Sequence, residues 1–420
     1  MAARLVIIGS GETAPTMVKV HRELLGSKGP GPAALIDTPF GFQVNADDLT
    51  GKILEYFRDS VGVDLDVVRW RRSDEPVIDR ERALALLARA GWVFAGPGSP
   101  SYALHQWSDT AVPAALLDVA TRGGTLVMGS AAAVTVGRFT VPVYEIYKVG
   151  TEPHWLEGLD LLGSLTGITA AVVPHYDNRE GGRHDTRYCY LGEQRLERLE
   201  GDLPDGVGVL GVDEHTAVIF DVAARVARVE GVGSLTLRHR GRSTVLPAGE
   251  SVTFDEMLRV LRGDGGGDVR GNTTAANEPV LVEAPQAGES FSLRSEVDRL
   301  QGAFEACMDA GDADGALAAV LELEDAIHAW SADTVQGDHV DRARAALRGM
   351  LVQLGATAMS GMRDERDVVG PVVQVALDAR QRARDSRDFA TSDAIRDGLA
   401  AHGIEVRDTP DGQEWDLREA

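Results

Sequence analysis

The sequence predicts an α/β protein with a doubly wound, mainly parallel sheet, followed by a small α-helical bundle that ends in a hairpin. Short apolar runs alternate with helical patterns through the first part of the chain, which is typical of βαβ units. The composition changes at Arg262, after which a polar stretch rich in glycine is too broken for a core element. Apolar residues then recur at helical spacing. We therefore predict an α/β domain at 1–262, a flexible linker at 263–290 and a helical domain at 291–420.

The overall composition restricts the classes of function. Acidic residues outnumber basic ones by 65 to 42, and the net charge of −23 argues against sequence-independent binding of nucleic acid. The two cysteines, Cys189 and Cys307, are far apart and lack a C-x-x-C partner, so neither a disulfide scaffold nor a structural zinc site is expected. No apolar run reaches the roughly 18 residues of a membrane span. We expect a cytoplasmic protein without a membrane contact.

The first predicted strand, at 5–8, runs into a glycine-rich turn. Its residues, from Gly9 to Ala14, fit the spacing G-x-G-x-x-A, and Asp37 ends the next predicted strand at 33–36. One interpretation is a dinucleotide-binding fingerprint with Asp37 as the ribose acceptor. The other is a tight glycine turn, as any doubly wound fold can contain, and the high false-positive rate of a single motif favours it.

The remaining elements of the α/β domain alternate in the same way. Strands are predicted at 65–69, 92–95, 125–128 and 170–174, and helices at 46–60, 79–90 and 102–122. Later alternating runs at 216–222, 227–229 and 234–237 predict that the sheet ends in antiparallel strands. Ligands of such sheets bind at the carboxyl ends of the strands.

The stretch after the strand at 125–128 has the outline of a nucleophile elbow. Gly129 and Ser130 follow the strand directly, and three alanines come next. An elbow exposes its reactive residue on a sharp strand-to-helix turn and needs small neighbours. A serine hydroxyl also needs an imidazole to take its proton and a carboxylate to orient that imidazole. Ser130, His175 and Glu145 supply the three residue types, although their spacing alone does not bring them together.

These residues resemble a family of serine peptidases that includes aspartyl dipeptidase and cyanophycinase and has the class I glutamine amidotransferase-like fold. The resemblance extends from Leu5 to about Arg262. It rests on the motifs GPGSPSYAL at 96–104, SAAA at 130–133, PHY at 174–176, RL at 195–196 and GVDEHTA at 211–217. It implies Ser130 as nucleophile, His175 as base, and the N–H groups of Gly98 and Ala131 as oxyanion donors. Glu145, fifteen residues after Ser130, falls where the dipeptidase branch carries its triad acid.

The elbow departs from the pattern of this family, G-x-S-A-G-A. Aligning Ser130 with the serine places Met128 at the first glycine, where elbow sterics oppose it. Shifting the alignment by one residue keeps Gly129 but places Ala131 at the nucleophile, which would leave no serine chemistry. We prefer the first frame because it keeps three of the four residues of S-A-G-A.

The resemblance implies hydrolysis of a peptide or isopeptide amide with no cofactor and no metal. Because both named relatives handle aspartyl linkages, Arg179 or Arg183 could hold a substrate carboxylate. Surface salt bridges are the more ordinary role of such arginines. The alternative hypothesis for the whole chain is a catalytically inactive binding protein that keeps the hydrolase fold.

The last part of the chain, from about Phe291 to Trp415, resembles the helical C-terminal region of cysteinyl-tRNA synthetase. The resemblance rests on RDSRDFA at 384–390, SDAIRD at 392–397, and several spaced residues from Gly403 to Trp415. The synthetase motifs H-I-G-H and K-M-S-K-S are absent, so amino-acid activation is not expected. From Glu289 onward there are 27 acidic residues, 14 arginines and no lysine. We therefore favour structural packing or a protein partner over tRNA, and leave a homodimer open.

Overall fold

The computed structural model describes residues 3–178, 184–264, 293–330, 339–361, 365–409 and 412–418. The contacts divide the chain into two compact units, Met1–Val297 with Glu324–Ala343, and Asp298–Leu323 with Arg344–Ala420. Apart from Gly263 and Asp264, the predicted linker at 263–290 lies outside the described residues. Within the described residues, no helix combines the length and the apolar character that crossing a membrane requires.

The α/β part contains fourteen strands and nine α-helices among its described residues. The strands are β1 (Arg4–Ile8), β2 (Ala33–Ile36), β3 (Asp66–Val68), β4 (Trp92–Ala95), β5 (Thr125–Gly129), β6 (Phe139–Thr140), β7 (Leu156–Glu157), β8 (Ala170–Val173), β9 (Gly208–Val212), β10 (Thr216–Asp221), β11 (Val226–Gly231), β12 (Ser234–His239), β13 (Arg242–Pro247) and β14 (Ser251–Thr253). The helices are α1 (Val18–Gly26), α2 (Ala46–Glu55), α3 (Val77–Leu87), α4 (Pro100–Trp107), α5 (Val112–Thr121), α6 (Ser130–Thr135), α7 (Leu161–Thr166), α8 (Gly192–Gly201) and α9 (Phe254–Leu261).

The first sheet has eight strands in the order β14-β11-β10-β1-β5-β4-β2-β3. The five strands from β1 to β3 in this order are parallel, and the other three are antiparallel. Alternate residues of β1 belong to different apolar clusters. Leu5 and Ile7 lie in one cluster, and Val6 and Ile8 lie in another. Because successive side chains of a strand point to opposite faces, both faces of this sheet are buried. The predicted doubly wound α/β fold is confirmed.

The strands of the chain after β5 are divided between two sheets, whereas we expected one sheet with an antiparallel edge. A second sheet has six strands in the order β13-β12-β9-β8-β6-β7, with β6, β8 and β9 parallel. Strand β9 belongs to it, while β10 pairs with β1 of the first sheet. The short connection at 213–215 therefore carries the chain from one sheet to the other. Local alternation in sequence cannot show this change of partner.

Two predicted helices are interrupted or change their hydrogen-bonding pattern in the structure. The helix predicted at 102–122 is two helices, α4 and α5, because the chain turns at 108–111 and Thr110 Oγ1 accepts a hydrogen bond from the N–H of Val112. Helix α2 ends at Glu55 and continues as a π-helical turn, Tyr56–Val61, which stops at Gly62 with a φ of 87°. The turn between α4 and α5 and the left-handed Gly62 after the π-helical turn are both typical of helix ends.

The rest of the chain is helical and ends in a hairpin. Its elements are α10 (Leu293–Ala310), α11 (Ala313–Ala329), α12 (His339–Gly361), α13 (Glu365–Asp385), α14 (Phe389–Ala401), β15 (Ile404–Thr409) and β16 (Gly412–Leu417). The predicted terminal hairpin is present, with Val406 opposite Trp415. The side chain of Arg380 on α13 is 2% exposed and donates hydrogen bonds to Asp408 on β15 and Gln413 on β16. This buried guanidinium ties the hairpin to the helix.

Candidate active site

Ser130 lies at the apex of the turn between β5 and α6. Its φ of 46° is in the left-handed region that non-glycine residues seldom adopt, as a nucleophile elbow requires. Met128, the residue that opposed this frame, is fully buried in a core cluster, beside Ile7 of β1 and Ala95 of β4 in the register of the sheet. Its side chain therefore occupies the core rather than crowding the apex. The geometry supports the frame with Ser130 at the turn.

The side chains of Ser130, His175 and Glu214 form a continuous line of hydrogen bonds. Ser130 Oγ lies 2.9 Å from His175 Nε2, and His175 Nδ1 lies 2.8 Å from Glu214 Oε1. The carboxylate beside His175 is thus Glu214 and not Glu145. Glu145 instead accepts a hydrogen bond of 2.6 Å from Ser101 Oγ on α4. Our placement of Glu145 next to His175 was wrong.

The sheet topology explains why Glu214 takes this position. His175 is the second residue after β8, Glu214 is the second residue after β9, and these strands are parallel neighbours. The carboxyl ends of parallel neighbours meet at the same edge. Glu145 begins a π-helical turn, Glu145–Val149, several residues beyond β6. The signal that could have found Glu214 was in the sequence: it is one of the two acidic residues of GVDEHTA, just before the strand predicted at 216–222.

Two neighbouring side chains hold Glu214 in place. Asn178 Nδ2 donates to Glu214 Oε1 at 3.1 Å, and Asp177 Oδ1 accepts from the backbone N–H of Glu214 at 2.8 Å. Burial alone would raise the pKa of Glu214, but the hydrogen bond and charge of His175 and the bond from Asn178 lower it below its usual value. Glu214 is therefore a carboxylate at neutral pH. An anion at Nδ1 is what a histidine needs to accept a proton at Nε2.

An open cleft of about 310 Å³ lies in front of Ser130. Its lining includes Gly98, Ala131 and His175, with apolar and aromatic walls from Pro100, Val134, Val143, Tyr144, Cys189 and Tyr190. Ala131 is in the first turn of α6, where the backbone N–H groups have no acceptor within the helix. The cleft brings together the four expected residues Ser130, His175, Gly98 and Ala131.

The loop that carries Gly98 is fixed by close packing. Gly98 has a φ of 141°, and a Cβ on it would lie 2.0 Å from the carbonyl oxygen of Pro39. The next residue, Ser99, donates its N–H to the same carbonyl at 2.9 Å, and its Oγ caps α4 by accepting from the N–H of Tyr102. Only glycine fits this position.

The two arginines proposed for substrate binding, Arg179 and Arg183, lie outside the described residues.

The glycine-rich turn after β1 packs against protein rather than leaving room for a nucleotide. A Cβ on Gly9 would lie 2.0 Å from the carbonyl oxygen of Asp213, and one on Gly11 would lie 2.1 Å from His215 Nδ1. Asp37, the candidate ribose acceptor, is fully buried and accepts hydrogen bonds from Arg71 and from the N–H of Trp70. This packing and the partners of Asp37 favour the tight-turn interpretation over the dinucleotide interpretation.

Comparison with solved structures finds peptidases for the α/β part. A peptidase from an acI-B1 Actinobacterium is 20% identical, with a TM-score of 0.49, and the match covers 60% of this chain and 97% of that one. A peptidase E-like protein from Listeria monocytogenes EGD-e is 14% identical, with a TM-score of 0.38, over 56% of this chain and 100% of that one.

The C-terminal part is similar to a different group of proteins. Residues 368–415 match the family model for the cysteinyl-tRNA ligase anticodon binding domain. Cysteine–tRNA ligase of Arthrobacter sp. (strain FB24) is 36% identical over 138 residues, which is 31% of this chain and 28% of that protein. The enzyme of Streptococcus pyogenes serotype M3 (strain ATCC BAA-595 / MGAS315) is 40% identical over 79 residues, 19% of this chain and 16% of the relative. The chain thus spans less than a third of these ligases, and its resemblance to them is confined to the C-terminal part.

Proposed function

We propose that the α/β part is a serine hydrolase that cleaves a peptide or isopeptide amide. The observation that carries this proposal is the pair of contacts made by His175, with Ser130 Oγ at 2.9 Å on one ring nitrogen and Glu214 at 2.8 Å on the other. Both distances are within the range needed for proton transfer and for orientation of the ring. The left-handed turn at Ser130 adds the exposure that a nucleophile needs.

In the proposed reaction, Ser130 Oγ attacks the carbonyl carbon of the amide while His175 Nε2 takes its proton. Glu214 stabilises the imidazolium that forms and keeps Nδ1 protonated in the resting state. The N–H groups of Gly98 and Ala131 stabilise the oxyanion of the tetrahedral intermediate. His175 then returns the proton to the leaving amine, and water hydrolyses the acyl-enzyme by the same steps in reverse roles. In this scheme Glu145 takes no direct part, because its carboxylate is bonded to Ser101.

Covalent labelling with a fluorophosphonate tests the proposal. The wild-type protein should be labelled, and Ser130→Ala should abolish labelling because the attacking oxygen is gone. Ser101→Ala is the matched control, since this hydroxyl lies on α4 and bonds to Glu145 rather than to His175. Folded wild-type protein that takes no label, or a Ser130→Ala variant that keeps it, would refute the proposal.

A second candidate function, binding of tRNA or of a protein of translation, is favoured by the match of residues 368–415 to an anticodon binding domain. This similarity also supports a cytoplasmic location. The charge distribution opposes tRNA. Four arginines lie at the end of α13 and just beyond it. Arg380 and Arg384 both form ion pairs with Asp408, while Arg382 and Arg387 are exposed. Only part of the cluster is therefore available to a phosphate.

Filter binding at low salt separates these outcomes. If the C-terminal part recognises tRNA, the full chain should retain tRNA more strongly than heparin, and Arg382→Glu with Arg387→Glu should reduce retention. Equal retention of tRNA and heparin would contradict specific recognition of tRNA.

Size-exclusion chromatography of the same protein tests the proposed homodimer, whose expected mass is twice 44.8 kDa.

A further inference from the structure

The glycine-rich turn after β1, which binds no nucleotide in our interpretation, lies against the candidate active site. The backbone N–H of His175 donates to the carbonyl oxygen of Gly9 at 3.3 Å, and that of His215 donates to the carbonyl oxygen of Ser10 at 3.0 Å. This turn therefore supports the backbone of His175, which bonds to Glu214, and of His215, which follows Glu214 in the sequence. The close packing of Gly9 and Gly11 brings the next residue, Glu12, underneath the elbow.

The side chain of Glu12 fills the space beneath the turn that carries Ser130. It is 1% exposed. A Cβ on Gly129 would lie 3.1 Å from Glu12 Cδ and 3.2 Å from its Cβ and Cγ, and a Cβ on Gly96 would lie 3.1 Å from Glu12 Oε1. Glu12 thus lies between the residue that precedes Ser130 and the start of the Gly98 loop. Its presence also explains why the position before Ser130 is a glycine.

A carboxyl group in this place has no evident structural purpose. Among the described residues, Glu12 Oε1 is buried and has no hydrogen-bond partner. A buried polar atom without a partner costs free energy, so an apolar side chain of similar size would fill the same space at less cost. A group of this kind often marks a functional site.

Among the described residues, three histidines are connected to Glu12 and its turn. His21 on α1 has Nε2 2.7 Å from the Glu12 carbonyl oxygen, and burial lowers the pKa of His21 to about 4, so it is neutral at pH 7. His215 contacts Gly11, and burial lowers its pKa. Burial raises the pKa of Glu12 to about 7, opposed by its backbone hydrogen bond and by the charge of His175. Glu12 packs against Gly129, the next residue is Ser130, and Ser130 Oγ lies 2.9 Å from His175 Nε2, so His175 is the ionisable residue of the site on which a charge at Glu12 acts.

We propose that Glu12 is a positioning residue for the candidate nucleophile: it supports the turn at Ser130 from below and, as an anion, stabilises the protonated form of His175. This inference rests on the proposed hydrolase function. During the attack, the proton of Ser130 Oγ moves to His175 Nε2, and Glu12 neither gains nor loses a proton. Glu12 loses its own proton to solvent as the pH rises, so it adds a second ionisation to the activity.

The test compares Glu12→Gln with a surface control, Glu197→Gln, whose side chain is exposed on α8. Glutamine keeps the shape of the side chain and removes its charge. The first measurement is the rate constant of fluorophosphonate labelling from pH 5 to pH 9. The second is the NMR titration of His175, assigned by the signal that disappears in His175→Gln. Thermal melting confirms that each variant is folded.

Glu12→Gln should lower the midpoint of the His175 titration by about one pH unit, because a buried anion nearby is lost. Labelling at pH 8 should fall about three- to tenfold, while Glu197→Gln should match the wild type in both measurements. A midpoint and a pH profile of Glu12→Gln equal to those of the wild type would overturn the proposal. A purely structural role would change the melting temperature and leave the midpoint unchanged.

The two measurements separate this inference from the proposed function. A wild-type protein that takes no label refutes the hydrolase, whereas the titration of His175 still decides whether Glu12 acts on it. If Glu12→Gln does not fold, the pH dependence of labelling of the wild-type protein tests the proposal instead. Two ionisations, one of them near pH 7, would support the role of Glu12, and a single ionisation would oppose it.

Discussion

Replacing each of two carboxylates by its amide distinguishes the acid that orients His175. In Glu214→Gln the side chain keeps its shape but loses the charge next to Nδ1. Glu214 Oε1 accepts from both His175 at 2.8 Å and Asn178 at 3.1 Å, so an amide oxygen could keep both bonds but could not stabilise the imidazolium. If the amide turns, its NH₂ group faces donors and favours the wrong tautomer of His175. Glu145→Gln changes a side chain bonded to Ser101 instead.

The expected effect of Glu214→Gln is large. Replacing the acid of a serine–histidine–acid triad by its amide lowers turnover about 10⁴-fold, which corresponds to about 5 kcal/mol of transition-state stabilisation. We expect the rate of fluorophosphonate labelling to fall by about 10³- to 10⁴-fold, with unchanged thermal melting. Glu145→Gln should stay within about threefold of the wild type.

The assay is a time course of labelling at pH 8 with equal concentrations of folded protein. Because Ser130 remains in both variants, slow residual labelling of Glu214→Gln is expected and should vanish in the double variant with Ser130→Ala. A Glu145→Gln variant that loses as much rate as Glu214→Gln, or a Glu214→Gln variant that keeps the wild-type rate, would refute the assignment of Glu214.

Three further predictions concern stability and the oxyanion loop. Burial raises the pKa of Glu12 from 4.5 to about 7, so its stabilising contribution is complete below pH 4.5 and is lost as the pH rises to 7. Glu12→Gln should therefore raise the free energy of unfolding by about 3 kcal/mol at pH 8 and little at pH 4.5, measured by urea unfolding; an equal gain at both pH values would contradict this. Gly98→Ala should slow labelling about 10²-fold, because its Cβ would lie 2.0 Å from the Pro39 carbonyl oxygen; normal labelling would exclude Gly98 as an oxyanion donor. Arg380→Met should destabilise the hairpin by about 2 kcal/mol, because Asp408 and Gln413 lose their buried donor; unchanged hydrogen exchange in β15 would show that the ion pair contributes nothing.

The candidate site shows where local pattern was sufficient and where it was not. The strand, the glycine and the three alanines around Ser130 specify a strand-to-helix turn by propensity alone, and the structure forms it there. The position of His175 after a buried strand was equally local. The choice between Glu145 and Glu214 was not local, because it depends on which strand lies beside β8. That neighbour is β9, which is more than thirty residues further along the chain.

The sequence by itself determined the alternating elements of the α/β part, the helical C-terminal part with its hairpin, and the residues at the strand ends, because these follow from the periodicity of apolar residues and from turn chemistry. Only the tertiary structure decided three things: the division of the later strands between two sheets, the pairing of His175 with Glu214, and the burial of Glu12 beneath Gly129. Each of these joins residues that are distant in sequence. Such contacts are set by packing and strand order, which periodicity within one segment does not encode.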